Sequence, residues 1–224
     1  MMRYLNFIAV VSLLLLASCS SADQKLQQLE SKNGFAVMVP AVGNEKLATF
    51  AGGCFWSTQE AMMELRGVHK VISGYAGGTK PNPTYQDLQS QTTGYAEAVQ
   101  VYYDPAVISF ETLCKAFFHA HDPTQVNGQG PDIGPEYRSI AFFRSPEEYR
   151  TLSALIHKLE RTDFKGQKIA TELIPFEVIY PAETEHQDYY QRNLGNSYIK
   201  NVCGPKVMKL RAKMPEIIKS DYLK

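Results

Sequence analysis

The run Phe50-Ala51-Gly52-Gly53-Cys54-Phe55-Trp56 constrains this chain more than any other stretch. An apolar segment, Glu45 to Ala51, reads as a strand and runs into two glycines. Behind them Thr58 to Leu65 has a helical pattern, with Ala61 and Leu65 on one side. Glycine permits positive φ, so the pair allows a tight strand-to-helix turn. Cys54 then falls in the first turn of a helix, where unpaired N–H groups and the positive end of the macrodipole favour thiolate over thiol. A buried structural cysteine at the same junction is the bland alternative, and this stretch by itself leaves both open.

The elements after it form a readable succession. Val68 to Ala76 reads as a strand, closed by Gly77 and Gly78. Pro81 and Pro83 make 79–84 a loop, and Tyr85 to Gln89 a brief helical turn. Val99, Val101 and Tyr103 alternate within a strand from Ala96 to Tyr103. Ser109 to Ala120 is helical, with Phe110, Leu113, Cys114 and Phe117 on one face, which makes Cys114 a core residue. Ser139 to Phe143 is the next strand, and Pro146 suits the first turn of a helix from Ser145 to Lys158. Strand, helix, strand, strand, helix, strand predicts an α+β, two-layer α/β plait with a ferredoxin-like βαββαβ core. The Gly-, Pro- and Asp-rich stretch from His121 to Arg138 is predicted as a long loop able to return to Cys54. Short strands at 170–174 and 176–180, a helix at 183–191 and a last helix at 207–214 complete an irregular C-terminal region.

The N-terminus reads as a targeting segment. Arg3 precedes the apolar run Leu5 to Ala17, which is too short to span a bilayer comfortably. Leu16-Ala17-Ser18-Cys19 resembles the bacterial lipoprotein cleavage box, implying cleavage before Cys19 and lipid attachment there. The expected organisation is a signal peptide at 1–18, a lipid-anchored tether at 19–44 with one segment lying against the domain, a catalytic domain at 45–200 and a C-terminal tail at 201–224. The implied location is the bacterial cell envelope, on the periplasmic face, and Ser20 is compatible with outer-membrane sorting. Formal net charge is +0, with no basic stripe, so nothing points to nucleic acid. Of four cysteines, Cys19 goes to lipid; Cys54, Cys114 and Cys203 remain, and an odd number excludes a complete structural disulfide set. His119-x-His121 is too little for a metal site.

Several motifs occur in order: Gly53-Cys54-Phe55-Trp56, Gly74-Tyr75-Ala76-Gly77-Gly78, Asn82-Pro83-Thr84-Tyr85, Gly94-Tyr95-Ala96-Glu97-Ala98, His121-Asp122-Pro123-Thr124-Gln125, Asp132-Ile133-Gly134 and Tyr137-Arg138-Ser139. From Leu47 to Tyr190 the chain resembles the peptide methionine sulfoxide reductase A family. The resemblance implies reduction of the S epimer of methionine sulfoxide, free or in oxidised proteins. It implies Cys54 as nucleophile and Glu97 as the acid on the sulfoxide oxygen. Tyr75, Tyr137 and Asp132 line and hold the site, and Phe55 and Trp56 pack on the substrate methyl group. Burial in a strand of small residues and a nearby thiolate would both raise the pKa of Glu97. No metal, flavin or nicotinamide is implied; electrons come from a thioredoxin- or glutaredoxin-like dithiol, and the enzyme is expected to be a monomer. Departures are Ser57, Gln59, Asn127-Gly128-Gln129-Gly130 and the ending Tyr198-Ile199-Lys200-Asn201-Val202-Cys203. Cys203, in a Gly-, Pro- and Lys-rich segment expected to be mobile, is the candidate recycling thiol. Two other readings stand beside this one: a Cys54-His121-Asp122 thiol hydrolase or acyltransferase, and a non-catalytic lipoprotein that binds methionine-rich segments.

Overall fold

The structure, a computed structural model, describes residues 31–223. The leader and Cys19 lie outside the described residues. A short hairpin, β1 (Ser31–Lys32) and β2 (Phe35–Ala36), comes first. Then follow β3 (Lys46–Gly52), α1 (Phe55–Met63), β4 (Val68–Ala76), the single turn α2 (Tyr85–Gln89), β5 (Ala96–Tyr103) and α3 (Phe110–Ala120). A small hairpin, β6 (Gly128–Gln129) and β7 (Asp132–Ile133), leads to β8 (Ser139–Phe143) and α4 (Pro146–Leu159). The chain ends with β9 (Glu172–Pro175), β10 (Ile179–Pro181), α5 (Tyr189–Arg192) and α6 (Gly204–Lys213).

Six strands make one mixed sheet in the order β10-β4-β5-β3-β8-β9, antiparallel throughout except between β8 and β9. The alternation in β5 explains its central place. Val99, Val101 and Tyr103 face the helices, while Ala96 and Ala98 face the other side, and all eight residues of the strand are buried. On the helix side Phe50 stacks on Phe117 of α3 at 4.7 Å, and Leu152, Leu155, Val207 and Leu210 join the same core. The opposite face carries a second apolar cluster, in which Ala51, Ala76, Ala96 and Ala98 join Ile140, Phe142 and Ile179, with Met38 and Phe176 packed against it. There the Tyr102 hydroxyl donates to Val39 O at 2.8 Å, so part of the expected tether lies on the sheet.

The helix starts follow local chemistry. Ser109 accepts from Thr112 N at 3.1 Å, and Ser145 accepts from Glu148 N at 3.3 Å with Pro146 in the first turn. Thr84 and Asp87 form a reciprocal capping box on α2, which aims the residue after Thr84, Tyr85, into the molecule.

Three regions differ from the sequence expectation. Residues 183–191 are not one helix. A 3-10 turn at Thr184–His186 is separated from α5 by Asp188, at φ +50°. Gln187 imposes this break by bonding both Ser73 N and Ser73 O at 2.9 Å, which pins the segment to β4. The 201–224 segment is not a loose tail: Val207, Leu210, Met214 and Ile218 are buried in the main core. Arg211 of α6 holds Glu64 at the end of α1 through two hydrogen bonds. The loop from 121 to 138 contains the β6–β7 hairpin and a 3-10 turn at Pro135–Tyr137. Gln129 staples it by accepting from Asp122 N at 2.9 Å and donating to Asp122 O at 2.8 Å.

Candidate active site

The end of β3 places the nucleophile. Gly53 has φ +85°, and a Cβ there would lie 2.5 Å from the Gln129 side chain, so the junction requires glycine on two grounds. Cys54 follows as the N-cap of α1, one position earlier than first-turn placement would have it. Ser57 Oγ and Thr58 Oγ1 donate to its carbonyl at 2.8 and 3.3 Å, which closes the helix start. Gln59 donates to Val71 O and accepts from Asp188 N, both at 2.9 Å. A carboxylate could not make the first of these bonds.

Glu97 stands in β5 on the same face as Val99, turned toward the helices, and pairs in register with Tyr75 of β4. It is 2% exposed, and Phe55 N donates to its Oε2 at 2.9 Å. Burial pushes its carboxyl well above the usual range, the Cys54 sulfur adds to this, and the Phe55 N–H opposes it. Cys54 and Glu97 line one cavity of about 170 Å³ together with Trp56, Tyr85, Asp132, Tyr137 and Tyr198. That is smaller than the roughly 300–1,000 Å³ of drug-sized sites; it suits the head of a side chain. A larger groove of about 650 Å³ beside Phe35, Met38 and Pro83 contains no cysteine, so size does not mark the site.

The sulfur does not behave as the helix-terminus reading expects. Cys54 is 4% exposed, and burial drives its thiol well above the usual range. The contact with Cys203 adds to the rise, while Tyr198 and the Trp56 N–H pull it back only in part. The partial charge of a helix end falls off within a turn and cannot offset full desolvation. Nor does Cys203 lie on an open stretch of chain. It closes a π turn, Ile199–Cys203, is fully buried, and touches Cys54 and Ile199. Cys114 is fully buried in α3, and all three cysteines are free.

Among the tyrosines, Tyr137 lines the cavity but Tyr75 does not. The Tyr75 ring is fully buried and its hydroxyl donates to Glu183 Oε2 at 2.6 Å. The other oxygen of Glu183 accepts from Tyr85 N at 2.9 Å, so Tyr75 supports the tyrosine that does reach the cavity. Tyr85 was present in the Asn82-Pro83-Thr84-Tyr85 motif, and the capping pair on either side of it, Thr84 and Asp87, was the signal for its direction. Phe55 is likewise behind the wall: its ring is 1% exposed, 6.0 Å from Tyr75 and 5.4 Å from His186. Its contribution to the site is the backbone N–H on Glu97. Trp56 does line the cavity, stacked on Tyr189 at 3.8 Å and edge-on to Tyr198 at 5.9 Å. Asp132, at the start of β7, accepts from the Tyr198 hydroxyl at 2.8 Å, with Lys206 Nζ 3.5 Å away. Tyr198 and Lys206 had no counterpart in the motifs that carry the resemblance.

The Cys-His-Asp arrangement is not assembled. His121 is buried with Nδ1 on Phe117 O at 2.8 Å and Nε2 on Ser139 Oγ at 2.7 Å. Burial lowers its pKa to about 4. The Asp122 carboxylate accepts from Thr124 N and Oγ1 rather than from the imidazole.

A buried thiol and a buried carboxyl biased toward its protonated form, across one small aromatic cavity, define a site for thiol attack with acid assistance, on a mixed α/β scaffold. The comparisons agree. The profile of the family described as peptide methionine sulfoxide reductase matches residues 46–217. The peptide methionine sulfoxide reductase MsrA of Thermus thermophilus is 43% identical over 175 residues, covering 78% of this chain and 98% of that one. The MsrA of Deinococcus radiodurans is 47% identical over 172 residues, covering 77% and 83%. Among solved structures, reduced Mxr1 from Saccharomyces cerevisiae superposes with a TM-score of 0.66 at 33% identity, covering 71% of this chain and 92% of that one. Methionine sulfoxide reductase A of Corynebacterium diphtheriae gives 0.61 at 32%, covering 68% and 77%. The chain belongs to the peptide methionine sulfoxide reductase family and is an enzyme that reduces methionine sulfoxide.

Proposed function

We propose that Cys54 attacks the sulfur of the S epimer of methionine sulfoxide while Glu97 protonates the departing oxygen. A sulfoxide oxygen leaves as a strong base, so a thiolate reacts with it only when an acid is placed on that oxygen. The observation that carries this assignment is Glu97, buried, biased to its protonated form and sharing the small cavity with Cys54. Trp56 offers an apolar wall for the methyl group, and Tyr85 and Tyr137 offer hydroxyls to the oxygen as charge develops. The products are the thioether and a sulfenic acid on Cys54.

The contact between Cys54 and Cys203 supports Cys203 as the recycling thiol: it condenses with the sulfenic acid, releasing water and forming a disulfide. A dithiol of the thioredoxin or glutaredoxin type then returns both to thiols. The leader and the Leu16-Ala17-Ser18-Cys19 box support export and lipid anchoring at Cys19 in the cell envelope. The order β4-β5-β3-β8 among the central strands, with α1 and α3 packed on one face, supports classing the core as a ferredoxin-like plait.

The test is a dithiol-driven assay on the separate epimers of a methyl sulfoxide substrate. Cys54→Ser is expected to abolish turnover and Glu97→Gln to slow it by about a hundredfold or more with substrate binding kept. Turnover retained in Cys54→Ser, or equal rates on both epimers, would contradict the assignment.

A further inference from the structure

We infer that Tyr198 is a catalytic residue and that, together with Asp132, it forms the path by which the Cys54 thiol gives up its proton. This rests on the sulfoxide-reductase reading above and supplies the step that reading lacks. The attacking species is a thiolate, whereas the resting Cys54 is a buried thiol. Glu97 cannot take the proton, because it already holds the one destined for the sulfoxide oxygen. His121 cannot take it, because both ring nitrogens are engaged by Phe117 O and Ser139 Oγ.

The remaining carboxyl of the cavity is Asp132, and Tyr198 connects it to the sulfur. The Tyr198 hydroxyl donates to Asp132 Oδ2 at 2.8 Å, and the same side chain lies beside the Cys54 sulfur, with which it shares the cavity. A carboxylate only accepts, so with Cys54 as thiol the hydroxyl hydrogen points to Asp132 and an Oη lone pair is left for the S–H. Once the proton has moved, the new O–H points at the thiolate, and that donation is what pulls the thiol pKa down. The chain S–H to Oη–H to Oδ2 therefore has one direction. Cys203 also touches the thiol, but oxygen is the better acceptor than sulfur. Tyr198 is held in place from three sides: its ring meets Trp56 edge-on, its N–H donates to Asn196 Oδ1 at 2.8 Å, and Asp132 is fixed by Lys206. The π turn after it inserts one extra residue, which brings Tyr198 and Cys203, five apart, to the same sulfur.

The step balances. The S–H proton moves to Tyr198 Oη as the Tyr198 proton moves to Asp132 Oδ2, leaving a thiolate, a neutral tyrosine and a neutral aspartic acid. The thiolate lone pair attacks the substrate sulfur to form an S–S bond as Glu97 protonates the oxygen. The hydroxyl then passes to the Cys54 sulfur, so the substrate S–O and S–S bonds break and the Cys54 S–O bond forms. Cys54 is oxidised to the sulfenic acid and the substrate sulfur is reduced to the thioether. Asp132 then holds one proton and Glu97 lacks one; both line the same cavity, and transfer between them restores the start.

Two readouts test this in a Cys203→Ser background, where no disulfide can form. One is single-turnover sulfenic acid formation, followed with dimedone. The other is alkylation of Cys54 by iodoacetamide without substrate. The groups facing the path are Cys54, Asp132 and Lys206 on one side and Glu97, Tyr85 and Tyr137 across the cavity, so each is followed from neutral to alkaline pH. Tyr198→Phe and Asp132→Asn are expected to slow both readouts about tenfold or more at neutral pH, with substrate affinity kept. Both deficits should shrink at alkaline pH, where hydroxide deprotonates the thiol directly. The double variant should be no slower than the slower single one, since both remove one path. Parent rates in Tyr198→Phe, or a deficit equal at every pH, would overturn the inference. Inactivity of the Cys203→Ser parent on sulfoxide would instead count against the reductase reading, while the alkylation arm, which needs no sulfoxide, still decides the proton path.

Discussion

Arg211→Ala is expected to loosen the C-terminal segment that brings Tyr198 and Cys203 to the nucleophile. Arg211 reaches from α6 to Glu64, donating from Nε at 2.7 Å and Nη2 at 2.5 Å to the two carboxylate oxygens. The Glu64 side chain is 0% exposed and that of Arg211 22% exposed. Deleting the arginine leaves a carboxylate buried without its partner, which typically costs about 3–5 kcal/mol. Water can follow into the space left by the partly exposed arginine, which places the expected loss near the lower end, about 3 kcal/mol. That is roughly two decades in the folding equilibrium, at about 1.4 kcal/mol per decade. Equilibrium urea denaturation measures it. Alkylation of Cys203, buried in the wild type, should accelerate as α6 lifts from α1. Replacing both partners, Glu64→Met with Arg211→Met, should recover most of the loss, because an apolar pair of similar size needs no charge compensation. A loss below about 1 kcal/mol, the range of exposed pairs, would refute the reasoning.

Other outcomes follow from the same geometry. Glu97 has a folded-state pKa raised above 4.5 by burial, so the native state binds its proton more tightly than the unfolded chain does. Wild-type stability should therefore fall as pH rises through 4.5 toward the folded pKa. Glu97→Gln should be the more stable protein at neutral pH, with the gain vanishing in acid; an unchanged pH profile of urea midpoints would contradict this. Tyr85→Phe should reduce kcat by about tenfold, whereas Tyr75→Phe should act mainly on stability by about 1 kcal/mol through its lost bond to Glu183; the reverse ranking in steady-state kinetics would refute the placement. Cys203→Ser should still form a sulfenic acid in the first turnover but slow in the steady state with a thioredoxin-type reductant, and equal steady-state rates would remove Cys203 from recycling. Cys19→Ala should release the protein from membranes or leave it uncleaved, which mass spectrometry of the N-terminus and cell fractionation check.

Local spacing carried much of the structure. Alternating apolar residues in β5 and the apolar face of α3 specify their own conformation, because each pattern has a single period that buries it. The two glycines before Cys54 were equally legible, since a tight strand-to-helix turn needs the positive φ that Gly53 adopts. Cys114 read as core for the same reason of helical periodicity.

What sequence could not decide is what depends on distant segments arriving at one point. Tyr75 and Tyr85 are both tyrosines beside turn motifs. Only the Glu183 carboxylate, about a hundred residues away, separates the supporting ring from the cavity ring. The helix start at Cys54 argues locally for a thiolate, but its ionisation is set by desolvation, which counts every atom packed around the sulfur and is invisible to spacing. The C-terminal segment looked loose because Gly, Pro and Lys are poor signals of order. It is held by an ion pair to Glu64 and by apolar residues that need the sheet and helices already in place. The nucleophile's junction and the succession of elements have causes that lie within a few residues, so they could be read along the chain. The ionisation state of that nucleophile, and the tyrosine and thiol that touch it, were decided only by tertiary structure, through desolvation and contacts that no local pattern encodes.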